Sequence, residues 1–244
     1  MNSNYKRFYI NQSLNLRDHI TFDNKHYHYI KNVLRINRNE YLRLFNGKQG
    51  EWLAKIKKIE KKIIFLSIEK KIKDQKNSPD IWLLLSLIKR DRLNILVQKA
   101  TELGVQKIIP IQTERVNIKN ININNLRQNA IEASQQSERL DIPKIDDSKK
   151  LDSIIHLWPS DRCIIYCDES SFKAEGIIEK LYKIKSKYKK WSVIIGPEGG
   201  FSSIERKKIM SLKNVYRVTL GNRILKSDTA ATAAIFCIQQ FIDI

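Results

Sequence analysis

The sequence predicts an α/β protein in which a mostly parallel sheet, covered by helices on both faces, follows a small β-rich domain. Three observations support this fold class. From residue 81 onward, apolar runs of strand length alternate with stretches of helical periodicity. Two glycine loops near the C-terminus each leave a strand pattern and enter a helix pattern. The first 75 residues contain several short strand signals and a hairpin signal instead.

The N-terminal residues are expected to form a small β-barrel. A strand pattern begins at Arg7, and residues 62–69 (KIIFLSIE) supply another. Between them, the apolar runs Tyr41–Phe45 and Glu51–Ile59 flank an Asn46-Gly47 dipeptide, which is a strong hairpin signal. Several short strands joined by a hairpin are typical of a small barrel.

One helix and one linker complete this first region. Residues 23–35 (DNKHYHYIKNVLR) predict a short helix with Ile30, Val33 and Leu34 on one side. Residues 70–79 (KKIKDQKNSP) are polar and end in Ser-Pro, so they predict a linker. We therefore divide the chain into residues 1–73 and residues 74–244.

The second region alternates strands with helices. Asp91 is expected to cap a helix that ends before Gly104, a common C-terminal stop. Such alternation places helices on both faces of a parallel sheet. The predicted strands are 81–88, 105–111, 163–166, 191–195 and 215–220, and the predicted helices are 91–103, 124–138, 175–185 and 229–241, with a further helix beginning at Ser202.

The two glycine loops predict a binding pocket. The first lies in WSVIIGPEGGFSSIE, where Ser202 and Glu205 have the spacing of a capping box. The second follows Gly221, and Ser227 or Asp228 is expected to cap the last helix. Ligands of parallel sheets bind beyond the carboxyl ends of the strands, where these loops meet. No GxGxxG or GK[ST] motif accompanies them, so nicotinamide and nucleoside-triphosphate enzymes have little support.

Four ordered blocks of the sequence resemble one known family. They read QKATELGVQKIIPIQTERV, EASQQSERLDIPKI, GPEGGFSSIE and LGNRILKSDTAATAA. Together they resemble the RsmE family, within the SPOUT superclass of knotted RNA methyltransferases. Members of that family methylate ring nitrogen N3 of a uridine in 16S ribosomal RNA, using S-adenosyl-L-methionine. The resemblance implies a SPOUT-type parallel sheet with a C-terminal trefoil knot, a PUA-like N-terminal barrel that binds RNA, and a homodimer whose sites use both chains.

The resemblance also implies which residues surround the cofactor, mainly through main-chain groups of the two loops. These residues are Cys167, Ile195, Gly196, Gly199, Gly200, Leu220, Gly221, Ile224 and Leu225. The chain departs from the family pattern at three places in the second loop. Asn222 stands where proline is usual, Lys226 where arginine is usual, and Ser227-Asp228 where Thr-Glu is usual. A lysine keeps the charge but loses the bidentate geometry of arginine. We therefore expect these departures to change the detailed contacts with the substrate rather than the activity itself.

Two side chains in the loops are candidates for catalysis. Glu198 could orient the uridine or accept a proton, or it could shape the turn by accepting backbone hydrogen bonds. Arg223 could hold a uracil carbonyl or a phosphate, against the alternative of a surface charge. The residues expected to contact RNA are Arg7, Arg35, Arg90, Arg115, Arg139 and Lys226.

The charge of the chain predicts a polyanionic partner. Its formal net charge is +19 and its pI is about 9.8. Residues 1–80 hold 18 basic and 8 acidic residues, and residues 81–244 hold 27 and 18. The N-terminal third is therefore about twice as densely positive as the rest of the chain, and we expect it to contribute much of the affinity for RNA. The partner implied by the resemblance is 16S rRNA within the small ribosomal subunit.

Several classes of protein find no support in the sequence. The three cysteines form no CxxC pair, so neither a zinc site nor a disulfide framework is expected. No apolar run has the roughly 18–20 residues that span a bilayer, and the N-terminus shows no signal-peptide pattern, which predicts a cytoplasmic protein without membrane contact. Two alternatives remain open, a SPOUT enzyme that methylates another base or a ribose, and a non-catalytic RNA-binding remnant.

Overall fold

The computed structural model describes residues 5–116, 118, 120–168 and 174–242 of the 244-residue chain. The chain divides into two compact units. The first comprises Met1–Asn77 together with Ser134–Asp141, and the second comprises Ser78–Ala133 together with Ile142–Ile244. The sequence patterns gave no sign that Ser134–Asp141 belongs with the N-terminal residues.

The first unit contains a five-stranded sheet. Its strands are β1 (Arg7–Tyr9), β2 (His19–Phe22), β3 (Tyr41–Phe45), β4 (Glu51–Glu60) and β5 (Ile63–Lys73). Their order is β1-β3-β4-β5-β2, in which β1 and β3 are parallel and the other neighbours are antiparallel. Alternate strand residues such as Leu42, Leu44 and Ile56 are fully buried and form the core of the unit.

The predicted hairpin is confirmed. Strands β3 and β4 are antiparallel, with Leu42 opposite Ala54. The Asn46 side chain closes the turn, because its Oδ1 accepts hydrogen bonds from the backbone N–H groups of Lys48 and Gln49 at 3.1 and 2.9 Å.

The helix predicted over residues 23–35 has a different geometry. It begins as the short α-helix α1 (Asn24–Tyr27) and continues as a π-helix over His28–Val33. The wider π turn moves residue i+3 away from residue i, so Ile30 is buried whereas Val33 is 56% exposed. The prediction that both side chains share one buried face is therefore wrong.

The linker also starts later than predicted. Strand β5 runs to Lys73, because the long strand β4 provides pairing partners for Lys70, Lys71 and Lys73. The polar composition of this stretch reflects a solvated sheet edge rather than irregular chain.

The second unit is built on a parallel sheet, as predicted. Its strands are β6 (Ile81–Ser86), β7 (Lys107–Gln112), β8 (Lys144–Ile145), β9 (Lys149–Lys150), β10 (Cys163–Cys167), β11 (Trp191–Ile195) and β12 (Val215–Val218). They are arranged in the order β12-β10-β11-β6-β7-β8, and β9 also pairs with β7. All these pairs are parallel.

Helices cover both faces of this sheet, which confirms the predicted layer order. They are α2 (Arg90–Glu102), α3 (Ile123–Gln136), α4 (Leu151–His156), α5 (Ile177–Ile184), α6 (Ser203–Met210) and α7 (Ser227–Gln239). One core joins the sheet to α2, α5 and α7, through side chains such as Leu96, Leu181 and Ala234. A second core on the other face joins it to α4 and α6, through Ile154 and Ile209.

Two of the three predicted helix caps are wrong. The capping box of Ser202 and Glu205 is present in both directions. Asp91 lies inside the first turn of α2, where its charge favours the helix dipole, and Lys89 occupies the cap position. Lys226 precedes α7, so Ser227 and Asp228 belong to its first turn.

The last helix packs closely on its neighbours. Ala231 and Ala234 are fully buried where α7 meets α2 and β11. Small side chains permit this approach. The trefoil knot implied by the resemblance stays a prediction. Within the part of the chain that the structure describes, every helix is too short or too polar to cross a lipid bilayer.

Candidate functional site

A cavity opens beyond the carboxyl ends of β10, β11 and β12. It encloses about 910 Å³, counting its open mouth. The lining residues are Tyr166, Cys167, Asp168, Ile195, Gly196, Pro197, Glu198, Gly200, Phe201, Val218, Thr219, Leu220, Gly221, Arg223, Ile224, Leu225, Lys226, Ser227 and Ala230.

The loop after β11 forms one wall of the cavity, and its glycines are required by geometry. A Cβ on Gly196 would lie 3.1 Å from the ring of Phe201, which is itself buried. Gly200 has φ +64°, and its N–H donates to the Pro197 carbonyl at 2.9 Å, closing a tight turn. The backbone can therefore approach a ligand closely here.

The loop after β12 forms the opposite wall. Gly221 has φ +114°, a conformation that L side chains rarely adopt. The Thr219 hydroxyl donates to the Gly221 carbonyl at 3.0 Å, which keeps the loop compact. Beyond it Ile224 is 70% exposed, so an apolar side chain stands in solvent at the mouth of the cavity.

The floor of the cavity holds one buried carboxylate. Asp168 follows β10 and is 6% exposed. Its Oδ2 lies 2.6 Å from Arg217 Nη2, and its Oδ1 lies 3.7 Å from Arg206 Nη1. Beside it, burial and the nearby Cys237 raise the pKa of the Cys167 thiol, which stays neutral at physiological pH.

Both candidate catalytic side chains lie at the cavity. Glu198 Oε1 accepts a 2.8 Å hydrogen bond from Arg92 Nη1, in an ion pair whose side chains are 51% and 30% exposed. Arg223 is exposed, and its side chain has no hydrogen bond or ion pair within the described residues. A guanidinium in this state is available to a ligand.

Family comparisons agree with this geometry. Residues 75–239 match the model of an RNA methyltransferase domain, and residues 22–69 match that of an RNA methyltransferase PUA domain. A curated relative from Rickettsia conorii, named ribosomal RNA small subunit methyltransferase E, is 34% identical and covers 95% of this chain and 93% of its own. This chain belongs to the ribosomal RNA small subunit methyltransferase E family.

Solved structures of similar proteins carry the same fold. A family E methyltransferase from Neisseria gonorrhoeae, bound to S-adenosyl methionine, is 27% identical, with a TM-score of 0.86 and 98% of each chain covered. A putative methyltransferase from Legionella pneumophila, in complex with the cofactor SAM, has the same identity and TM-score over 97% of each chain. Among curated sequences, a ribosomal RNA small subunit methyltransferase E from Buchnera aphidicola subsp. Acyrthosiphon pisum is 31% identical over 98% of this chain.

The cavity of this family E member gathers most of the residues implied for the cofactor. Gly199 is the exception: it does not line the cavity, and its carbonyl accepts a 2.7 Å hydrogen bond from Arg115 Nη1. Lys226, expected to contact RNA, also lines the cavity. The resemblance left out Tyr166, Pro197, Phe201, Val218, Thr219, Ser227 and Ala230. The first five lie at or shortly after the ends of β10, β11 and β12 and could have been found from the strand ends, whereas Ser227 and Ala230 belong to helix α7.

The arginines expected to contact RNA fall into two groups. Arg35, Arg90 and Arg115 are exposed. Arg7 and Arg139 are 7% and 9% exposed, so little of either side chain reaches solvent. Arg7 forms an ion pair with Glu51, and Arg139 pairs with Asp141 at 2.7 Å. These two placements argue for structural roles.

Metal-binding side chains do not cluster in the part of the chain that the structure describes, where no group of three or more His, Cys, Asp or Glu residues could hold an ion. The cysteines are free thiols, and burial raises the pKa of Cys163 to about 12. Cys163 is thus a small apolar residue of the core.

Proposed function

We propose that this protein is an S-adenosyl-L-methionine-dependent methyltransferase that methylates N3 of a uridine in 16S ribosomal RNA. The observation that carries the proposal is the cavity between the two glycine loops. It belongs to a fold that matches, with a TM-score of 0.86, the fold of a relative bound to S-adenosyl methionine. The curated relatives named ribosomal RNA small subunit methyltransferase E support the RNA substrate.

The residues present fit the cofactor. Gly196 and Gly221 leave their backbone groups open to a ligand, and the neutral Cys167 thiol adds an uncharged wall. Asp168 supplies a single anion, held by Arg217, at the floor. An apolar pocket with few oriented polar groups is typical of sites for organic cofactors.

Within this site the protein's main task is to orient the reacting atoms. The bound cofactor supplies an electrophilic methyl group, so no covalent enzyme intermediate is required. Holding the uridine N3 in line with that group supplies much of the rate. The N3 proton must leave, and Arg223 donating to a uracil oxygen would favour the anionic ring. Glu198 is the exposed carboxylate of the cavity and the candidate acceptor of this proton, and its Oε1 lies 2.8 Å from Arg92 Nη1.

The RNA must present an unpaired base, because N3 lies on the pairing edge. Exposed Arg35, Arg90 and Lys226 are the candidate contacts, and the formal charge of +19 supports a polyanionic ligand. The assembled small subunit is the proposed form of the substrate, which places the reaction in the cytoplasm, where bacterial ribosomes assemble.

A homodimer is also proposed. Tyr182 on α5 and Phe236 on α7 are 69% and 53% exposed, on two helices that pack together. Exposed large apolar side chains on neighbouring helices are typical of a protein interface. Light scattering of the purified protein tests this, and a monomeric mass at micromolar concentration would contradict it.

Methyl transfer tests the proposed function directly. The protein is incubated with labelled S-adenosyl-L-methionine and unmodified small ribosomal subunits, and the labelled nucleoside is identified by mass spectrometry. The matched control is Gly200→Val, since a β-branched residue at φ +64° is strained. N3-methyluridine formed only by the wild type is the expected result. Another methylated nucleoside would move the enzyme to a different SPOUT activity, and absent transfer together with absent cofactor binding would favour an RNA-binding remnant.

A further inference from the structure

The turn Pro197–Gly200 forms part of the cavity wall, yet few bonds within the turn hold it. Its internal hydrogen bond runs from the Gly200 N–H to the Pro197 carbonyl. Glu198 and Gly199, the two residues between them, are exposed. A turn with so little internal support depends on its neighbours for a fixed position.

One neighbour is the segment after β7. Arg115 Nη1 donates to the Gly199 carbonyl at 2.7 Å, and the side chain passes so close that a Cβ on Gly199 would lie 3.7 Å from Arg115 Cβ and Cδ. A hydrogen bond from a charged donor at this distance is stronger than a neutral one. The guanidinium of Arg115 is therefore committed to the turn.

The same segment is attached a second time, one residue earlier. The Glu114 N–H donates at 2.9 Å to Oε1 of Glu205, the capping-box residue of α6. The other oxygen of Glu205 accepts from the Ser202 N–H at 2.8 Å. Glu205 is 5% exposed, so this attachment is shielded from water. This hydrogen bond fixes the backbone next to Arg115 and therefore the position that its guanidinium can reach.

The other neighbour is the start of α2. Arg92 lies in the first turn of this helix and pairs with Glu198 at 2.8 Å. The two arginines thus hold two successive residues of the turn, Glu198 by its side chain and Gly199 by its backbone. Both arginines precede the turn by more than 80 residues in sequence.

We infer that Arg115 and Arg92 are positioning residues that fix the turn Pro197–Gly200 against the cofactor. Arg115 acts on the backbone, and Arg92 acts through Glu198. This assigns Arg115 a task at the cofactor wall in place of the RNA contact expected from the sequence. The inference rests on the proposed function, since it concerns S-adenosyl-L-methionine in the same cavity.

Cofactor binding without RNA separates the two roles of Arg115. Titration calorimetry with S-adenosyl-L-methionine alone is expected to show about a fivefold higher Kd for Arg115→Met, the loss typical of one solvent-accessible hydrogen bond. Arg115→Lys should recover part of the affinity, because an ammonium can still donate to a carbonyl. In the transfer assay the KM for the cofactor should rise, with the KM for the RNA unchanged.

Arg127→Met is the matched control. Arg127 also donates to a backbone carbonyl, that of Ile145 at 3.3 Å, but it does not line the cavity. Its Kd for the cofactor should equal that of the wild type. Thermal unfolding shows whether each variant is folded. If Arg115→Met is not folded, the Kd of Arg115→Lys compared with that of the wild type is the test.

A double-mutant cycle tests the link between Arg92 and Glu198. Arg92→Met alone should raise the Kd for the cofactor by about twofold to threefold, as for a partly exposed ion pair. In a Glu198→Gln background the same change should have no further effect. An equal effect in both backgrounds would overturn the role of Arg92.

Two further outcomes would overturn the inference in distinguishable ways. If the wild type binds the cofactor and Arg115→Met binds it equally well but loses RNA affinity, Arg115 is an RNA contact and the positioning role is wrong. If the wild type itself binds no S-adenosyl-L-methionine, the proposed function fails and the inference fails with it.

Discussion

The Ser227 hydroxyl donates a 2.9 Å hydrogen bond to the carbonyl oxygen of Gly196 and so joins the two loops that enclose the cavity. Ser227 is 7% exposed and opens helix α7, whereas Gly196 follows β11. Both residues line the cavity. The width of the cavity at this point is therefore set by one side chain.

Ser227→Ala is expected to weaken cofactor binding. Removing the hydroxyl leaves the Gly196 carbonyl without this donor, and the loss of one such bond corresponds to about 1 kcal/mol, or roughly fivefold in Kd. Calorimetry with S-adenosyl-L-methionine measures this. Ser227→Thr, which restores the residue usual in the family, is the control and should bind like the wild type. Equal binding by the alanine variant would show that this hydrogen bond does not determine the width of the cavity.

Arg223→Met is expected to lower kcat for methyl transfer while leaving cofactor affinity nearly unchanged. The side chain is exposed at the cavity mouth, so it is placed to meet the uridine. Removal of one donor to developing negative charge costs about 10²-fold in favourable cases. Single-turnover transfer with subunits in excess measures the effect. A rise confined to the KM for RNA would assign Arg223 to phosphate binding instead.

Sequence patterns alone predicted the parallel sheet, the helices on both of its faces and the capping box of Ser202. Such features depend on local periodicity and on short spacings, which a sequence displays directly. The cap predicted at α7 was wrong because the tertiary contact of Ser227 with Gly196 outweighs the local preference of serine for a cap position. The cap predicted at α2 was wrong because the helix begins one residue before Asp91, at Arg90.

The buried state of Arg7 could not be read from the sequence either. Its guanidinium donates to the carbonyls of Ser134 and Arg139, 127 and 132 residues along the chain. Nothing local in the sequence signals a contact at such separation. The cavity, in contrast, was predictable, because the two glycine loops follow strands that the sequence marks clearly and parallel strands bring their carboxyl ends together.

RNA binding is expected to weaken steeply with salt. Each phosphate contact releases condensed counterions, so the logarithm of the affinity falls linearly with the logarithm of the salt concentration. Removing one contact lowers the steepness of that slope by about 0.7 on a single strand. Filter binding of a 16S RNA fragment to Arg90→Met at several salt concentrations measures this, with Arg127→Met as a control. A flat salt response of the wild type would contradict polyanion binding.

Arg7→Met is expected to destabilise the protein strongly. Glu51 is fully buried and pairs with Arg7, while Arg43 and Lys73 lie farther from its second oxygen, at 3.6 and 3.5 Å. Breaking a buried pair by removing one partner costs about 3–5 kcal/mol, since the remaining charge stays desolvated. Urea unfolding measures the free energy. The double variant Arg7→Met with Glu51→Gln should recover part of the loss, and no recovery would show that the packing of Arg7 matters more than its charge.

Glu138 is expected to contribute stability that is lost in acid. A hydrogen bond from Arg43 at 2.5 Å and a second from Lys73 lower the pKa of this carboxyl from 4.5 to about 2. Because the folded pKa lies below the unfolded one, the contribution is complete above pH 4.5 and disappears as the pH falls from there towards 2. The side chain is 47% exposed, so solvent screening reduces the size of the effect.

Urea unfolding between pH 6 and pH 2.5 compares the wild type with Glu138→Gln. The variant should be less stable than the wild type at pH 6, and the two stabilities should converge in acid. Parallel curves for the two proteins would show that Glu138 does not titrate against Arg43 and Lys73.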